Sequence, residues 1–279
     1  MIGVFDSGHG GLTVFSELTR RFGRYDWMYY GDHGHAPYGG RSGDEIVALT
    51  QDACAKLFMS GCKLVILACN TATAAAGRTL QQEWLPEVNK GRAGHKILGI
   101  IAPTVEAVTQ TPWSIKTPVF PQKYNDDTIA LFATKVTVES GVYETEIAKR
   151  CPRVRLVGQA CPALVPLIER GAPKDELRAA VAAYVAEMMD KTPVMPEWAI
   201  LGCTHYPHVQ DLFAEALPPR VRILSQPRVV ADALEDYLER HASLVGPRHG
   251  LIQYFTSGDP AEVARVAASM GCDVRWGRL

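Results

Sequence analysis

The chain has 279 residues, 47% of them hydrophobic and 21% charged, with 29 Lys and Arg against 30 Asp and Glu for a net charge of -1. That length supports a large core and two domains. The balanced charge offers no basic footprint for nucleic acid or for a membrane surface. No apolar run approaches the roughly 20 residues of a membrane span, and the start shows no basic segment followed by an apolar signal core. Seven cysteines without CxxC spacing fit free thiols in a reducing cytoplasm better than a structural zinc or a disulfide framework.

In chain order, Ile2 to Phe5 reads as a short buried strand. It runs into a glycine-rich turn, Asp6 to Gly11, and then into apolar residues at helical spacing from Leu12 to Phe22. The turn has neither a dinucleotide-binding glycine triplet nor a Gly-Lys-Ser/Thr P-loop, so its use is to aim Asp6 and Ser7 at a ligand, or simply to cap the helix. Trp27 to Tyr30 is a second strand, followed by a polar loop, Gly31 to Gly40, holding His33 and His35. These two have no third ligand nearby in sequence, so no metal is expected there. Ser42 to Glu45 caps a helix reaching about Ser60.

Leu64 to Ala68 is an apolar run ending in Cys69, Asn70 and Thr71, with a small-residue helix after it to Trp84. Pro86 to Gly94 reads as a connection, Lys96 to Ile101 as a strand, and Thr104 to Thr109 as the start of a helix. Thr111 to Asn125 is proline-rich and irregular. Ile129 to Phe132 is a strand with a hydroxyl-rich loop, Ala133 to Ser140, after it, and Val154 to Val157 is another strand. A helix carries Glu169, and Leu177 to Met189 is amphipathic. Trp198 to Gly202 then repeats the earlier pattern, an apolar run closed by Cys203, Thr204 and His205. A helix, a strand at Arg222 to Leu224, a helix at Ala231 to His241, a strand at Leu251 to Phe255 and a helix from Pro260 complete the chain. Strands alternating with helices imply an α/β fold with parallel sheets. Ligands in such sheets gather at the carboxyl ends of strands, where Cys69 and Cys203 lie.

Cys54, Cys62, Cys151 and Cys272 read as small buried hydrophobes, as does Cys161 with its apolar sequel. Cys69 and Cys203 differ because polar groups follow each. A disulfide between them would need sulfurs about 2 Å apart, leaving no room for substrate. One nucleophilic cysteine would leave the second unexplained. Two thiols about one small molecule apart suit two-base proton transfer, in which one removes a proton from a carbon and the other returns one to the opposite face. Asp6 and His205 are the groups expected to tune them.

These residues carry a resemblance over nearly the whole chain. Asp6 to Leu12, Gly31-Asp32, Pro37 to Gly39, Arg41-Ser42, Ala68 to Ala72, Cys161-Pro162, Val165 to Glu169, Leu201 to Pro207 and Thr256 to Asp259 resemble the cofactor-independent glutamate racemases of the aspartate/glutamate racemase superfamily. The resemblance implies two doubly wound parallel-sheet domains related by pseudo-twofold symmetry, with the active site in the cleft between them. It implies a first α/β domain of residues 1–98 plus 207–279 and a second of residues 99–206. It also implies racemisation of glutamate without cofactor or metal, supplying D-glutamate for peptidoglycan. Cys69 and Cys203 would be the acid/base thiols, the first acting on D-glutamate and the second on L-glutamate, with Asp6 assisting Cys69 and His205 assisting Cys203. Asp6, Ser7, Tyr38, Gly39, Asn70, Thr71, Thr134, Thr137, Thr204 and His205 would bind substrate, and Glu169 matches a position used in some members. The implied partner is the small-molecule substrate, with no nucleic acid and no membrane, and a homodimer stays open.

His9, His33 and His35 depart from the family pattern and are expected to reshape the pocket mouth. Two alternatives stand beside the glutamate reading: a racemase of aspartate or a related small acid, and a non-catalytic binding protein such as an inhibitor of DNA gyrase.

Overall fold

A computed structural model of the chain describes residues 1–91, 94–112, 114–115, 117–118, 120, 127–245 and 249–279. The expected irregular stretch at 111–125 lies largely outside them.

The elements alternate as expected. They are β1 Ile2–Asp6, α1 Leu12–Arg21, β2 Trp27–Gly31, α2 Gly43–Met59, β3 Leu64–Leu67 and α3 Asn70–Thr79, which runs through a π-helical turn, Leu80–Trp84, into α4 Leu85–Asn89. Then come β4 Lys96–Gly99, α5 Ile101–Thr109, β5 Thr128–Ala133, α6 Lys135–Glu139, α7 Val142–Ala148, β6 Arg155–Ala160, α8 Leu164–Glu169 and α9 Lys174–Asp190. The chain ends with β7 Trp198–Gly202, α10 Gln210–Ala216, β8 Arg222–Ser225, α11 Gln226–Arg240, β9 Ile252–Thr256, α12 Pro260–Ser269 and β10 Gly277–Arg278.

The strands form two sheets, ordered β10-β9-β2-β1-β3-β4 and β6-β5-β7-β8, with every pairing parallel. Four consecutive strands of the first sheet, β2-β1-β3-β4, are wound in the same order as the whole of the second. β1 therefore corresponds to β5, and β3 to β7.

Both sheets are covered on both faces, which is why their central strands are continuous apolar runs. Ile2, Val4, Leu64 and Ile66 face a core filled by α1, α11 and α12, whereas Phe5, Val65 and Leu67 face one filled by α2 and α3. Ala130, Phe132, Ala199 and Leu201 pack under α8, α9 and α10, whereas Ile129, Leu131 and Ile200 pack under α5 and α7. Each large side chain buried this way contributes about 1.5–3 kcal/mol, enough to hold strand ends in fixed positions.

One strand differs from expectation. Residues 207–279 were assigned to the first domain, yet β8 pairs with β7, Trp198 opposite Arg222, and so belongs to the second sheet. The chain rejoins the first sheet's core only at α11, through Val230, Leu234 and Leu238. The shared winding gives the reason: β8 is the counterpart of β4. No helix among the described residues is long and apolar enough to cross a membrane.

Candidate active site

Strand ends carry the polar groups because the strands themselves are buried and apolar. β1 and β3 are in register with Phe5 opposite Leu67, so two residues further on Ser7 comes beside Cys69. Its Oγ is 3.4 Å from Cys69 Sγ. In the second sheet Ala133 is opposite Gly202, so Thr134 and Cys203 follow on neighbouring strands. Each cysteine thus leaves its sheet next to a strand that ends in a hydroxyl.

Cys69 caps α3, its sulfur accepting from the Ala72 amide at 3.4 Å. Burial pushes this thiol up to about 12, the Asp6 charge adds to that, and the Ser7 and Ala72 hydrogen bonds oppose it. Cys203 has a different environment. Its Sγ is 3.8 Å from His205 Nδ1, and His205 Nε2 is 2.9 Å from Glu169 Oε1 at the end of α8. Burial pulls His205 down, but its hydrogen bonds to Cys203 and Glu169 outweigh that and raise it to about 10. Burial pushes Glu169 up, but hydrogen bonds from His205 and His9 outweigh that and hold it well below the usual carboxylate range. An imidazolium between a sulfur and a carboxylate follows from that balance.

Asp6 is buried and spans the two halves. Oδ1 accepts from the Gly8 amide at 2.8 Å, and Oδ2 accepts from the Thr204 hydroxyl at 3.3 Å. Burial raises its carboxyl, against the charge of His205 and the Gly8, Gly11 and Thr204 hydrogen bonds. Asp6 acts on Cys69 by charge, while the side chain that shares a hydrogen bond with that sulfur is Ser7. The Thr13 hydroxyl donates to the Thr204 carbonyl at 2.9 Å. Here the loop after β1 lies so close to the loop after β7 that a Cβ on Gly10 would come within 2.4 Å of His205 Nδ1.

Three further hydroxyls converge from both halves. Thr134 Oγ1 lies 2.9 Å from Thr71 Oγ1 and 3.0 Å from Thr137 Oγ1. Thr134 caps α6, a helix within the stretch expected to be a loop. Helix N-termini and clustered hydroxyls suit a carboxylate. A Cβ on Gly39 would lie 3.6 Å from Thr134, placing that loop alongside.

Tyr38 is buried with its hydroxyl donating to Asp32 at 2.6 Å, so it lines the loop without a free hydroxyl. Asn70 is similarly committed. Its Nδ2 donates to Gln226 Oε1 at 2.5 Å, and its Oδ1 accepts from Tyr143 OH at 2.8 Å and Gln226 Nε2 at 3.1 Å.

Among the described residues no three His, Cys, Asp or Glu side chains are placed to hold a metal ion. A wide groove lined by Arg20, Arg21, Trp198 and Arg228 holds neither thiol.

No family model matches the chain. A glutamate racemase from Phenylobacterium zucineum is 47% identical to it over 262 residues, 93% of this chain and 92% of that one. The chain belongs to the glutamate racemase family. Two solved glutamate racemases share its fold. An isoform from Bacillus anthracis superposes with a TM-score of 0.82 at 25% identity, covering 100% of this chain and 97% of that one. The enzyme from Francisella tularensis, solved with D-glutamate, gives 0.81 at 25% identity, covering 100% and 95%.

Against that glutamate racemase background, two residues near the site, Gln226 and Tyr143, escaped the sequence reading, and the contact made by a third, His9, was not foreseen. Gln226 and Tyr143 fix Asn70, and His9 reaches Glu169, Nδ1 to Oε1, at 3.5 Å. Gln226 left one signal, a lone amide between strand β8 and Pro227. Tyr143 left none. His9 is buried and its ring packs against the half-buried His33, while His35 is exposed and hydrogen-bonds Asp32.

Proposed function

We propose that the protein interconverts L- and D-glutamate by two-base proton transfer at the α-carbon, with Cys203 and Cys69 on opposite faces of the substrate. One observation carries the reading: corresponding strands in two sheets of the same winding order each end in a polar-flanked thiol. Racemisation needs a proton to leave one face and another to arrive on the other.

For L-glutamate, Cys203, whose sulfur faces His205 Nδ1 at 3.8 Å, takes the α-proton. Cys69 keeps its proton because of burial and the Asp6 charge, and delivers it to the opposite face. For D-glutamate the roles reverse, and Asp6 favours return of a proton to the Cys69 side. A base alone contributes about 10²–10⁴-fold. The remainder comes from fixed donors around the developing charge, supplied by Thr71, Thr134 and Thr137 at the carboxylate and by Ser7 beside Cys69, with Thr204 holding Asp6. Tyr38 and Gly39 wall the site. Asn70 orients the start of α3.

This reading includes a domain of residues 1–99 with 226–279, and a second of residues 100–225, with the chain crossing at Ile100 and Gln226. Seven unpaired cysteines favour a reducing cytoplasm, where D-glutamate would feed peptidoglycan. The test is chiral analysis of L-glutamate, and separately L-aspartate, incubated with purified protein and no added cofactor. Equal amounts of the two glutamate enantiomers at equilibrium, with aspartate left unchanged, are expected. Racemised aspartate with unchanged glutamate would overturn the substrate assignment.

A further inference from the structure

We infer that His9 is a positioning residue for the Cys203 side of the site, clamping the Glu169 carboxylate across the cleft against His205. His9 fills the slot between Gly8 and Gly10 in the loop after β1, and is buried. Its Nδ1 lies 3.5 Å from Glu169 Oε1, the same oxygen that His205 Nε2 meets at 2.9 Å. Its other nitrogen, Nε2, lies 3.2 Å from the Val263 carbonyl in α12. Each ring nitrogen therefore faces an acceptor, a carboxylate on one edge and a carbonyl on the other.

The face of the ring is packed as well. His33 packs edge-on against it with centroids 4.2 Å apart, and Trp276 packs edge-on against His33 at 5.4 Å. His33 Nδ1 lies 2.9 Å from Thr256 Oγ1 and 3.0 Å from the Gly31 carbonyl. Burial, with the neighbouring His9, pushes His33 down to about 3, so no cation stands behind His9. The backbone beside it requires close approach at Gly10 but not at Gly8. A Cβ on Gly8 would lie 3.5 Å from Glu169 Oε1, and one on Gly10 would collide with His205.

Glu169 belongs to the second sheet's helices and His9 to a loop of the first. One carboxylate oxygen shared by two imidazoles is thus a contact between the halves, and it sets where the His205 ring points. Without His9, Glu169 has a single partner and a half-buried rotamer to explore. His205 would then lose its fixed aim at Cys203 Sγ. This inference rests on the racemase reading. If the wild type fails to racemise glutamate, that reading fails; if the wild type is active, the following cycle tests His9 alone.

The experiment compares wild type, His9→Leu, His9→Gln, Glu169→Gln and the His9→Leu/Glu169→Gln double variant. It measures kcat and KM in both directions with α-protiated and α-deuterated L- and D-glutamate. His9→Leu is expected to lower kcat about tenfold, the scale of a contacting pair's coupling, with KM little changed. The primary isotope effect should rise with L-glutamate, whose proton goes to Cys203, and stay level with D-glutamate. His9→Gln keeps an N–H donor and should recover most of the rate. In the Glu169→Gln background, His9→Leu should have no further effect. Additive losses, equal impairment by Leu and Gln, or isotope effects that move alike in both directions would overturn the proposal. Thermal melting checks folding, and if His9→Leu does not fold, His9→Asn replaces it in the cycle.

Discussion

The two thiols differ in their immediate surroundings, and that difference is the residue-scale content of the mechanism. Cys69 is held by a hydroxyl and a backbone amide, with its proton retained by burial and Asp6. Cys203 faces a histidine raised to about 10 by its sulfur and carboxylate partners after burial has pulled it down. Replacing either cysteine by alanine removes one of the two proton carriers, and each variant should lose racemisation by at least the roughly 10²–10⁴-fold worth of a general base. The remaining thiol keeps its half-reaction. With a substrate bearing a leaving group on the β-carbon, Cys203→Ala should still eliminate from the D form and Cys69→Ala from the L form, read as product release by each enantiomer. Near-wild-type racemisation in either variant would contradict the assignment.

At the scale of elements, the crossing from β8 to α11 is made at Gln226. This amide is almost fully buried and bonds Asn70, Thr104 and Tyr143 at once. Gln226→Leu would strand the Asn70 Nδ2 donor, whereas the Tyr143 hydroxyl keeps its bond to Asn70 Oδ1. Each unsatisfied group costs about 1–3 kcal/mol, so the denaturation midpoint should fall markedly in urea; an unchanged midpoint would contradict the role of this cluster. The elements themselves were largely legible. β1, β3, β5 and β7 read correctly because strands buried on both faces are short apolar runs, and their ends are where polar residues begin. α6 and α7 were not read, because one is a single capped turn inside a hydroxyl-rich stretch. The other begins after Gly141 in a left-handed conformation, φ 63°, with little periodicity to see. The sheet to which β8 belongs was misread for a different reason: parallel strands of one sheet look like those of another, and only pairing distinguishes them.

At the scale of the molecule, two sheets of matching winding each end a central strand in a polar-flanked thiol, the two proton carriers of the proposed mechanism, and polar contacts join the halves. Asp6 with Thr204, Thr13 with the Thr204 carbonyl, Thr71 with Thr134, and His9 with Glu169 all run between them. The cysteines and their flanking residues could be read from sequence, since polar groups after a buried run have few other uses. The contacts across the cleft could not, because residues as far apart as His9 and Glu169 become neighbours only once both sheets are folded. A reaction between mirror-image substrates suits a site whose halves are alike in topology and each end in a thiol. Racemisation of L-glutamate in deuterium oxide, stopped at early conversion and analysed by enantiomer, tests this most directly. Two separate proton carriers predict deuterium at the α-carbon of the D-glutamate formed, with the recovered L-glutamate still protiated. Deuterium appearing equally in the recovered L-glutamate, or protium carried over into the product, would show a single shared carrier and contradict the two-thiol account.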